Sequence, residues 1–405
     1  MLDNILIIGD YSRKDILSPF KLLIGKINMY FLTYYSAKEL PSRDASQYGT
    51  ILFWNEYSSG LELIKKLKIK KIIFYEYETF NNIALRAAAK QLGIRCYHLE
   101  HGYRDYGLEH GYINYGLVHK NKQKVKKIIY KIPFVSYFKL FFRSRFYYNT
   151  YKKCNNELKK QLLKFYKTRS SYGILSTFKK IDSPLLKLDF YINFSSENFK
   201  YFRTKHHLKD NFKHFKLIGF PQFDNASLAA KSNLNFNSNK LLFIDQPFLE
   251  QNLFGWTPKH KFSFLTELQE LATTLKLKLI IKPHPINDNS FYDNLDCEII
   301  TENIFDNYSY SYVIGFNSTL LFPLATIPNA LLICLNNHPE PFQSIENNIF
   351  VKNKVAIGLN QLSDLSKKSL KMKVLAKDRK SFVKKYLYKF DGRSKSRLTK
   401  IILSS

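Results

Sequence analysis

A histidine between two prolines is the first residue of this sequence with an evident chemical use. His284 lies between Pro283 and Pro285, after the apolar run 277–281, and Lys282 precedes the turn. The run predicts a buried parallel strand, and the prolines make the turn stiff because they fix φ and lack N–H groups. The imidazole is therefore predicted to be held at the carboxyl end of a strand, where open α/β sheets bind ligands.

A run of small polar residues forms a second candidate site. Gly315 follows the short apolar segment 312–314, and Asn317, Ser318 and Thr319 precede an apolar stretch that predicts a helix. These residue types are common helix caps, and the N–H groups of a helix's first turn bind anions. A stiff turn and an ordinary capped helix would explain either motif alone. Their succession in one βα array favours binding of a nucleotide's phosphates.

The third candidate is a possible general base at the end of a strand. Glu100, His101 and Gly102 follow the predicted strand 94–99. Histidine titrates near neutrality, and glycine permits a tight turn that leaves its neighbours facing a cleft. A His-Gly loop with solvated charges is an equally good interpretation.

The segment that holds these residues is duplicated. Residues 99–107 and 108–116 are identical at seven of nine positions, so His110 repeats His101, and Asp105 lies in the first copy. The first copy directly follows the strand and is predicted to reach the sheet edge. The second is predicted to extend a loop or to contact an acceptor.

Strands that alternate with helices must position these residues. Apolar segments predict strands at 4–9, 51–54, 71–75, 94–99, 190–194, 241–247, 312–314 and 330–335. Helices are predicted at 79–92, 149–167 and 264–275, and a strand at 171–178. Such alternation predicts parallel sheets with right-handed crossovers.

The predicted domain boundary is a polar stretch rich in Asn and Ser at 231–240. Residues 1–230 are predicted to form a Rossmann-like domain with a basic-aromatic helical insertion at about 119–170, and residues 238–360 a second such domain. Residues 361–405 are predicted to be a basic helical tail that packs back on the domains.

The composition indicates a polyanionic partner. Lys and Arg number 63 against 33 Asp and Glu, which gives the 405 residues a net charge of +30. Nucleic acid, anionic lipid, and acidic glycan or nucleotide all suit this charge, and charge alone does not choose among them. Lysine is spread along the chain and no compact recognition motif occurs, which argues against a specific nucleic-acid partner.

Membrane contact is predicted to be peripheral. No signal peptide is predicted, and no apolar run approaches the roughly 20 residues of a spanning helix. Basic residues alternate with aromatic ones over 119–145, and the tail 362–403 is rich in lysine. Both stretches suit the anionic inner face of a cytoplasmic membrane, and solvated surface helices are the alternative.

The cysteines indicate a reducing compartment. The four cysteines lie far apart and form no metal-ligand or disulfide pattern: Cys96, Cys154, Cys297 and Cys334. A cytoplasmic location is therefore predicted. No metal and no cofactor are predicted. The oligomeric state stays open.

Two motifs carry a resemblance to a known class of enzymes. The Lys-Pro-His-Pro sequence at 282–285 and the pair Ser318-Thr319 resemble the HP and S/T motifs of bacterial sialyltransferases and polysialyltransferases with the GT-B fold. The segment 244–247, which contains Gln246, is similar to the strand that opens their second domain. The resemblance implies an α/β GT-B fold with two Rossmann-like domains facing a central cleft. It also implies that His284, Ser318 and Thr319 hold the CMP moiety of the donor.

The base motif departs from that pattern. The families have two acidic residues before a glycine, whereas here His101 follows Glu100. The His-Gly turn and the segment 219–224, which begins at Gly219, are similar to CDP-glycerol glycerophosphotransferases and other capsule and lipopolysaccharide transferases. The resemblance implies an inverting, metal-independent glycosyltransferase with His101 or Glu100 as base, acting on an acidic sugar such as sialic acid.

Three alternatives stay open. One is a CDP-alditol phosphotransferase, in which the attacked atom is phosphorus. Another is a non-catalytic nucleic-acid-binding protein. The third is a degenerate transferase that serves as an assembly partner.

Overall fold

The computed structural model describes most of the chain, namely residues 2–11, 14–40, 44–103, 144–227, 239–305, 310–341 and 343–404. These residues divide into two compact units. The first unit contains residues 2–101, 144–222 and 393–404, and the second contains 102–103, 223–227 and 239–392.

The first unit is built on a seven-stranded sheet. Its strands are β1 (Asn4–Ile8), β2 (Asn28–Leu32), β3 (Thr50–Leu52), β4 (Ile69–Phe74), β5 (Arg95–Leu99), β6 (Phe190–Asn193) and β7 (Phe215–Leu217). Their spatial order is β3-β2-β1-β4-β5-β6-β7, and all neighbours are parallel. The order reverses between β1 and β4, as in doubly wound folds.

Helices cover this sheet. They are α1 (Lys14–Leu17), α2 (Gly60–Lys66), α3 (Phe80–Gln91), α4 (Arg145–Lys153), α5 (Asn156–Ser171), α6 (Ile174–Lys180) and α7 (Ser196–Lys205). The prediction for α3 is confirmed, because the Thr79 side chain accepts a hydrogen bond from the Asn82 N–H and the helix ends before Gly93.

Two predictions next to this point were wrong. The helix predicted at 149–167 is two helices, since α4 ends at Lys153 and the Asn155 side chain caps a new helix, α5. The strand predicted at 171–178 is helix α6. Its Phe178 is buried in the same core as Phe165 of α5, so helix packing overrides the short apolar signal.

The second unit is built on a six-stranded sheet. Its strands are β8 (Lys240–Ile244), β9 (Lys278–Lys282), β10 (Glu298–Ile299), β11 (Tyr312–Gly315), β12 (Leu331–Leu335) and β13 (Ile357–Leu359). Their order is β10-β9-β8-β11-β12-β13, again with parallel neighbours throughout. The order reverses between β8 and β11.

The remaining helices are α8 (Pro258–Thr274), α9 (Leu321–Leu324), α10 (Ile349–Lys352), α11 (Ala376–Phe382) and α12 (Ser394–Ser404). The last of them belongs to the first unit, where Leu398 and Ile402 are buried and the Ile402 carbonyl accepts a hydrogen bond of 2.6 Å from Lys71 Nζ.

The predicted fold class is confirmed. Each unit is a parallel sheet with flanking helices, which makes the chain an α/β protein of the GT-B class. The prediction of a helical tail was wrong in part, because residues 362–375 form short 3₁₀ turns between α10 and α11. Leu365 is buried there, and Leu370 and Val374 pack against the same core, which pins the segment in an irregular path.

None of the helices within the described ranges is both long and apolar enough to cross a bilayer.

A buried histidine predicts how stability of the first unit depends on pH. His206 is buried beside the hydroxyls of Tyr77 and Tyr191, with Tyr191 Oη 2.8 Å from its Nδ1. Burial, helped by the neighbouring His207, lowers the pKa of His206 from 6.5 to about 3. The folded state therefore holds this ring neutral at a pH at which an unfolded histidine is protonated.

We expect the free energy of unfolding to fall as the pH falls below about 6.5, by up to about 1.4 kcal/mol per pH unit from this group, because only the unfolded state takes up the proton. Urea denaturation at several pH values between 7 and roughly 5 measures the slope. His206→Gln should reduce the slope, and His214→Gln, at an exposed position, should retain it. Equal slopes in both variants would contradict this assignment.

Candidate functional site

The carboxyl ends of three neighbouring strands form one edge of the second sheet. Gln246 follows β8, His284 follows β9, and Asn317 follows β11, with β8 between the other two strands. The sheet order reverses between β8 and β11, and open α/β sheets bind ligands at such a reversal. There Gln246 Oε1 accepts a hydrogen bond of 2.8 Å from the Asn317 N–H. The structure thus brings the two predicted donor-binding motifs to the same sheet edge.

The turn that carries His284 is closed by its own backbone. The Asn287 N–H donates to the His284 carbonyl at 2.9 Å, and the Ile286 N–H approaches His284 Nδ1 at 3.4 Å. Because Nδ1 accepts in that contact, the proton of the neutral ring is assigned to Nε2. The half-buried imidazole can therefore donate a hydrogen bond to an anion from Nε2.

The flanking residues of the turn differ in accessibility. Pro285 is exposed. Lys282 is half-buried, its Nζ donates to the Thr301 carbonyl at 2.6 Å, and burial lowers its pKa. The ammonium group is therefore held beside β10.

The buried carboxylate of Asp245 stabilises the turn that carries His284. Asp245 is only 5% exposed, and its Oδ2 accepts hydrogen bonds from Asn287 Nδ2 at 2.8 Å and from Tyr292 Oη at 2.5 Å. Its Oδ1 accepts from the Gln246 N–H at 2.7 Å. Burial raises the pKa of Asp245, and the nearby Lys261 opposes that shift.

Lysine 261 extends this network to helix α8. Its buried Nζ lies 3.6 Å from Asp245 Oδ2 and donates to Glu250 Oε1 at 3.0 Å, and the Asp288 N–H reaches the same Glu250 oxygen at 3.3 Å. The sequence prediction did not include this network. The only local signal was Asp245, an acid directly after a buried strand. Its partners Asn287, Tyr292 and Lys261 are distant in the sequence and come close to it only in the folded structure.

The prediction that Ser318 and Thr319 cap a helix was wrong. The helix begins at Leu321, Leu320 occupies the cap position without a side-chain hydrogen bond, and the helix has only four residues. Pro323 has no N–H to bond to the Thr319 carbonyl, so an α-helical turn cannot start there. Instead, the Leu320 N–H contacts Ser318 Oγ at 3.3 Å in a turn.

The polar run is anchored through Asn317. Asn348, which is buried, donates from Nδ2 to Asn317 Oδ1 at 2.9 Å and to the Phe316 carbonyl at 3.3 Å. A Cβ on Gly315 would lie 3.4 Å from the Ile244 carbonyl oxygen, so the strand ends pack closely at the reversal. Ser318 and Thr319 are half-buried, which leaves part of each side chain accessible.

The first unit holds the predicted base. Glu100 and His101 directly follow β5. The Glu100 side chain is fully buried, its Oε1 accepts the His101 N–H at 2.8 Å, and the same oxygen lies 3.6 Å from His101 Nδ1. The His101 side chain is 14% exposed and its ring packs edge-on against Tyr75. A buried carboxylate next to an accessible imidazole can orient the ring and stabilise its protonated form.

The start of strand β5 is held by an ion pair between the buried Arg86 and the partly exposed Asp189. Arg86 of α3 donates to both carboxylate oxygens of Asp189, at 2.8 and 2.9 Å, and Asp189 Oδ2 also accepts the Cys96 N–H at 2.8 Å. This bidentate contact locks the start of the strand that carries Glu100.

The other predicted residues are less informative. A Cβ on Gly102 would have no neighbour within 4 Å. Gly219 follows β7 with φ of +81°, a conformation that favours glycine. Asp105 and His110 lie outside the described residues. In the part of the chain that the structure describes, no group of three or more His, Cys, Asp or Glu side chains could hold a metal ion.

We expect Tyr292→Phe to lower the free energy of unfolding by about 1–3 kcal/mol, because the buried Asp245 carboxylate loses a donor. Chemical denaturation measures the change. Tyr312→Phe also removes a tyrosine hydroxyl, at a half-buried position in β11 of the second sheet. It should change the free energy of unfolding by less than about 0.5 kcal/mol. Equal losses in the two variants would contradict the role given to the network.

Comparison with known proteins gives one family. A family model described as Alpha-2,8-polysialyltransferase (POLYST) matches residues 33–335, which is more than half of the 405 residues. No curated protein matches the chain significantly.

Several solved structures are similar. The wall teichoic acid polymerase TagF is 10% identical with a TM-score of 0.48, over 99% of this chain and 88% of that one. A glycosyltransferase from Rickettsia africae is 12% identical with a TM-score of 0.49, over 100% and 99%. MurG from Acinetobacter baumannii is 8% identical with a TM-score of 0.48, over 100% of both chains. Likeness at this level says nothing of this chain's substrate.

The family match covers β8, β9 and β11 with their carboxyl ends, as well as Glu100 and His101. The chain therefore belongs to the alpha-2,8-polysialyltransferase family and is a glycosyltransferase that uses a nucleotide-sugar donor and a glycan acceptor.

Proposed function

We propose that the protein transfers sialic acid or a related acidic sugar from a CMP donor, with inversion, to a cell-surface glycan in lipooligosaccharide or capsule synthesis. The observation that carries this proposal is the placement of Gln246, His284 and Ser318 after three neighbouring strands, at the carboxyl edge of the second sheet, in a chain of this family. The net charge of +30 suits an acidic donor and acceptor.

In this proposal the second unit binds the donor nucleotide. Parallel strands lie about 4.8 Å apart, so the ends of β9 and β11, on either side of β8, are roughly 10 Å apart. His284 Nε2 on one side and the hydroxyls of Ser318 and Thr319 on the other can donate to the phosphate of CMP. These donors stabilise the negative charge that the departing phosphate gains as its bond to the sugar breaks. The Asp245 network keeps the His284 turn in place for this task.

The proposed base is His101, with Glu100 as the residue that positions it. As the acceptor oxygen attacks the anomeric carbon, the bond from that carbon to the phosphate oxygen breaks, and CMP leaves with the electron pair. The acceptor's hydroxyl proton passes to His101, which is the accessible member of the pair. The buried Glu100 carboxylate stabilises the imidazolium that forms. His110, in the second copy of the duplicated segment, is proposed to contact the acceptor.

The proposed acceptor is a glycan or glycolipid at the inner face of the cytoplasmic membrane, with the protein attached peripherally. An excess of lysine favours an anionic membrane surface, where each nearby cation adds to the attraction.

A second candidate is a CDP-alditol phosphotransferase. The histidine in the second acidic position of the base motif favours it, because Glu100 is followed by His101 rather than by an acid. Incubation with CMP-sialic acid and, separately, with CDP-glycerol distinguishes the two by nucleotide release. Release only from CDP-glycerol would replace the sialyl proposal with this one.

We expect His284→Ala and His101→Ala to have different effects. His284→Ala should weaken CMP binding about tenfold or more, because a donor to the phosphate is lost. His101→Ala should retain CMP binding and lower kcat by roughly 100-fold or more, the usual share of a general base. The thermal shift with CMP measures binding, and release of CMP from CMP-sialic acid measures turnover.

The matched control is His214→Ala, at an exposed position, which should retain both properties. If His284→Ala kept the CMP affinity of the unchanged protein, the donor site would lie elsewhere. If His101→Ala turned over at the full rate, the base would be another group.

We propose that the reaction needs no metal ion, since histidine and hydroxyl donors act on the leaving phosphate. Turnover should therefore change by less than about twofold after dialysis against EDTA. A reaction in which a metal ion stabilises the leaving phosphate would lose several kcal/mol of transition-state stabilisation. Loss of activity that Mg²⁺ or Mn²⁺ restores would contradict metal independence. It would not decide where the donor binds, which the His284→Ala variant tests.

A further inference from the structure

A lysine-rich segment of the second unit exposes large apolar side chains. In the segment 366–380, Met372 is 57% exposed and Leu375 is 54% exposed. Six lysines of the same segment are exposed: Lys367, Lys368, Lys371, Lys373, Lys377 and Lys380. We call the surface formed by these eight side chains the lysine-methionine surface.

The segment is held firmly although its outer side chains are exposed. Leu370 and Val374 pack against the hydrophobic core of the second unit. At the end of the segment, the buried Arg379 donates to the carbonyls of Ala325, Pro328 and Ala330 at 2.7, 3.3 and 2.9 Å. Met372 and Leu375 are therefore presented outward by a fixed backbone.

Within the segment 366–380, acidic side chains do not balance the charge of the lysines. Asp378 is the only acid in the segment, and it is half-buried in the first turn of α11. Asp364, just before the segment, accepts the Gln361 N–H at 3.1 Å. Six exposed lysines thus face solvent beside one partly buried carboxylate.

The combination of exposed lysines and exposed aliphatic side chains fits an anionic bilayer. Lysines near such a surface are attracted by its negative potential. Transfer of Met and Leu side chains from water to the boundary between headgroups and acyl chains is favourable. A single-stranded nucleic acid would instead favour aromatic rings on which bases stack, and the segment 366–380 contains no aromatic residue.

The position of the surface leaves the candidate donor site uncovered. Lys371, Met372 and Lys373 line a groove of about 740 Å³, together with Tyr312 and Leu331 at the starts of β11 and β12. Within the second unit this is the amino-terminal edge of the sheet, whereas His284 and Ser318 lie at the carboxyl edge. A bilayer on the lysine-methionine surface therefore leaves the opposite edge accessible to a donor.

We propose that the lysine-methionine surface attaches the protein to anionic phospholipid bilayers. The inference assigns a surface to the membrane association proposed above. It does not depend on the transfer reaction, because vesicle binding is measured without donor or acceptor, and failure of either proposal can be recognised separately.

The test is sedimentation of the full chain with vesicles. We expect binding to vesicles that contain phosphatidylglycerol and much weaker binding to pure phosphatidylcholine. Lys371→Glu/Lys373→Glu should lower the affinity for the anionic vesicles at least tenfold, since two attractive charges become repulsive. Met372→Ser/Leu375→Ser should lower it severalfold, because the inserted apolar area is lost.

Matched controls separate this surface from net charge. Lys259→Glu/Lys352→Glu makes the same charge change at exposed positions of the second unit, and Phe262→Ser removes an apolar side chain that is 53% exposed. These controls should bind vesicles within about twofold of the unchanged protein, and the thermal unfolding transition of each variant, measured without ligand, shows whether it is folded.

Three results would overturn the proposal. The first is no preference for anionic vesicles. The second is equal loss in the surface and control variants, which would mean that overall charge decides binding. The third is tighter binding to a single-stranded oligonucleotide than to vesicles, lost in the same surface variants, which would assign the surface to nucleic acid.

Discussion

The reversal of strand order between β8 and β11 is the constraint on which the candidate donor site depends. From β8 the chain extends the sheet through β9 and β10 on one side, and then through β11, β12 and β13 on the other. The chain therefore leaves β8 and β11 toward opposite sides of the sheet, the arrangement at which open α/β sheets bind ligands. The hydrogen bond between Gln246 and Asn317 spans this point and sets the separation of the two loops. His284 comes to the same edge because β9 is the other neighbour of β8.

Each unit holds the strand that carries its candidate residues with a charged side chain. In the second unit, Asp245 joins the end of β8 to the His284 turn through Asn287 and Tyr292. In the first unit, Arg86 and Asp189 hold the start of β5, the strand that leads to Glu100. Burying Arg86 and Asp245 costs desolvation energy, so the value of these contacts lies in holding one geometry between different elements. A catalytic side chain on a loop needs support of this kind to keep its orientation.

Much of the fold and part of the candidate site could be predicted from the sequence. Helix α3 and most of the central strands follow from apolar runs bounded by capping residues and glycine, because those signals are local. The predicted strand at 171–178 is a helix, since its apolar residues pack against α5, and the turn at Ser318 replaces a helix start because Pro323 has no N–H. Strand β10, of two residues, carries too little pattern to be predicted. The Asp245–Lys261 network could not be predicted, because it joins residues on separate elements whose contact is created by folding alone.

The most direct measurement is a crystal structure of the protein with bound CMP. We expect the phosphate at the carboxyl edge of the second sheet, within hydrogen-bonding distance of His284 Nε2 and of the Ser318 or Thr319 hydroxyl. Density for the nucleotide at the amino-terminal edge of that sheet, or on the first unit with His284 uninvolved, would contradict the proposed donor site.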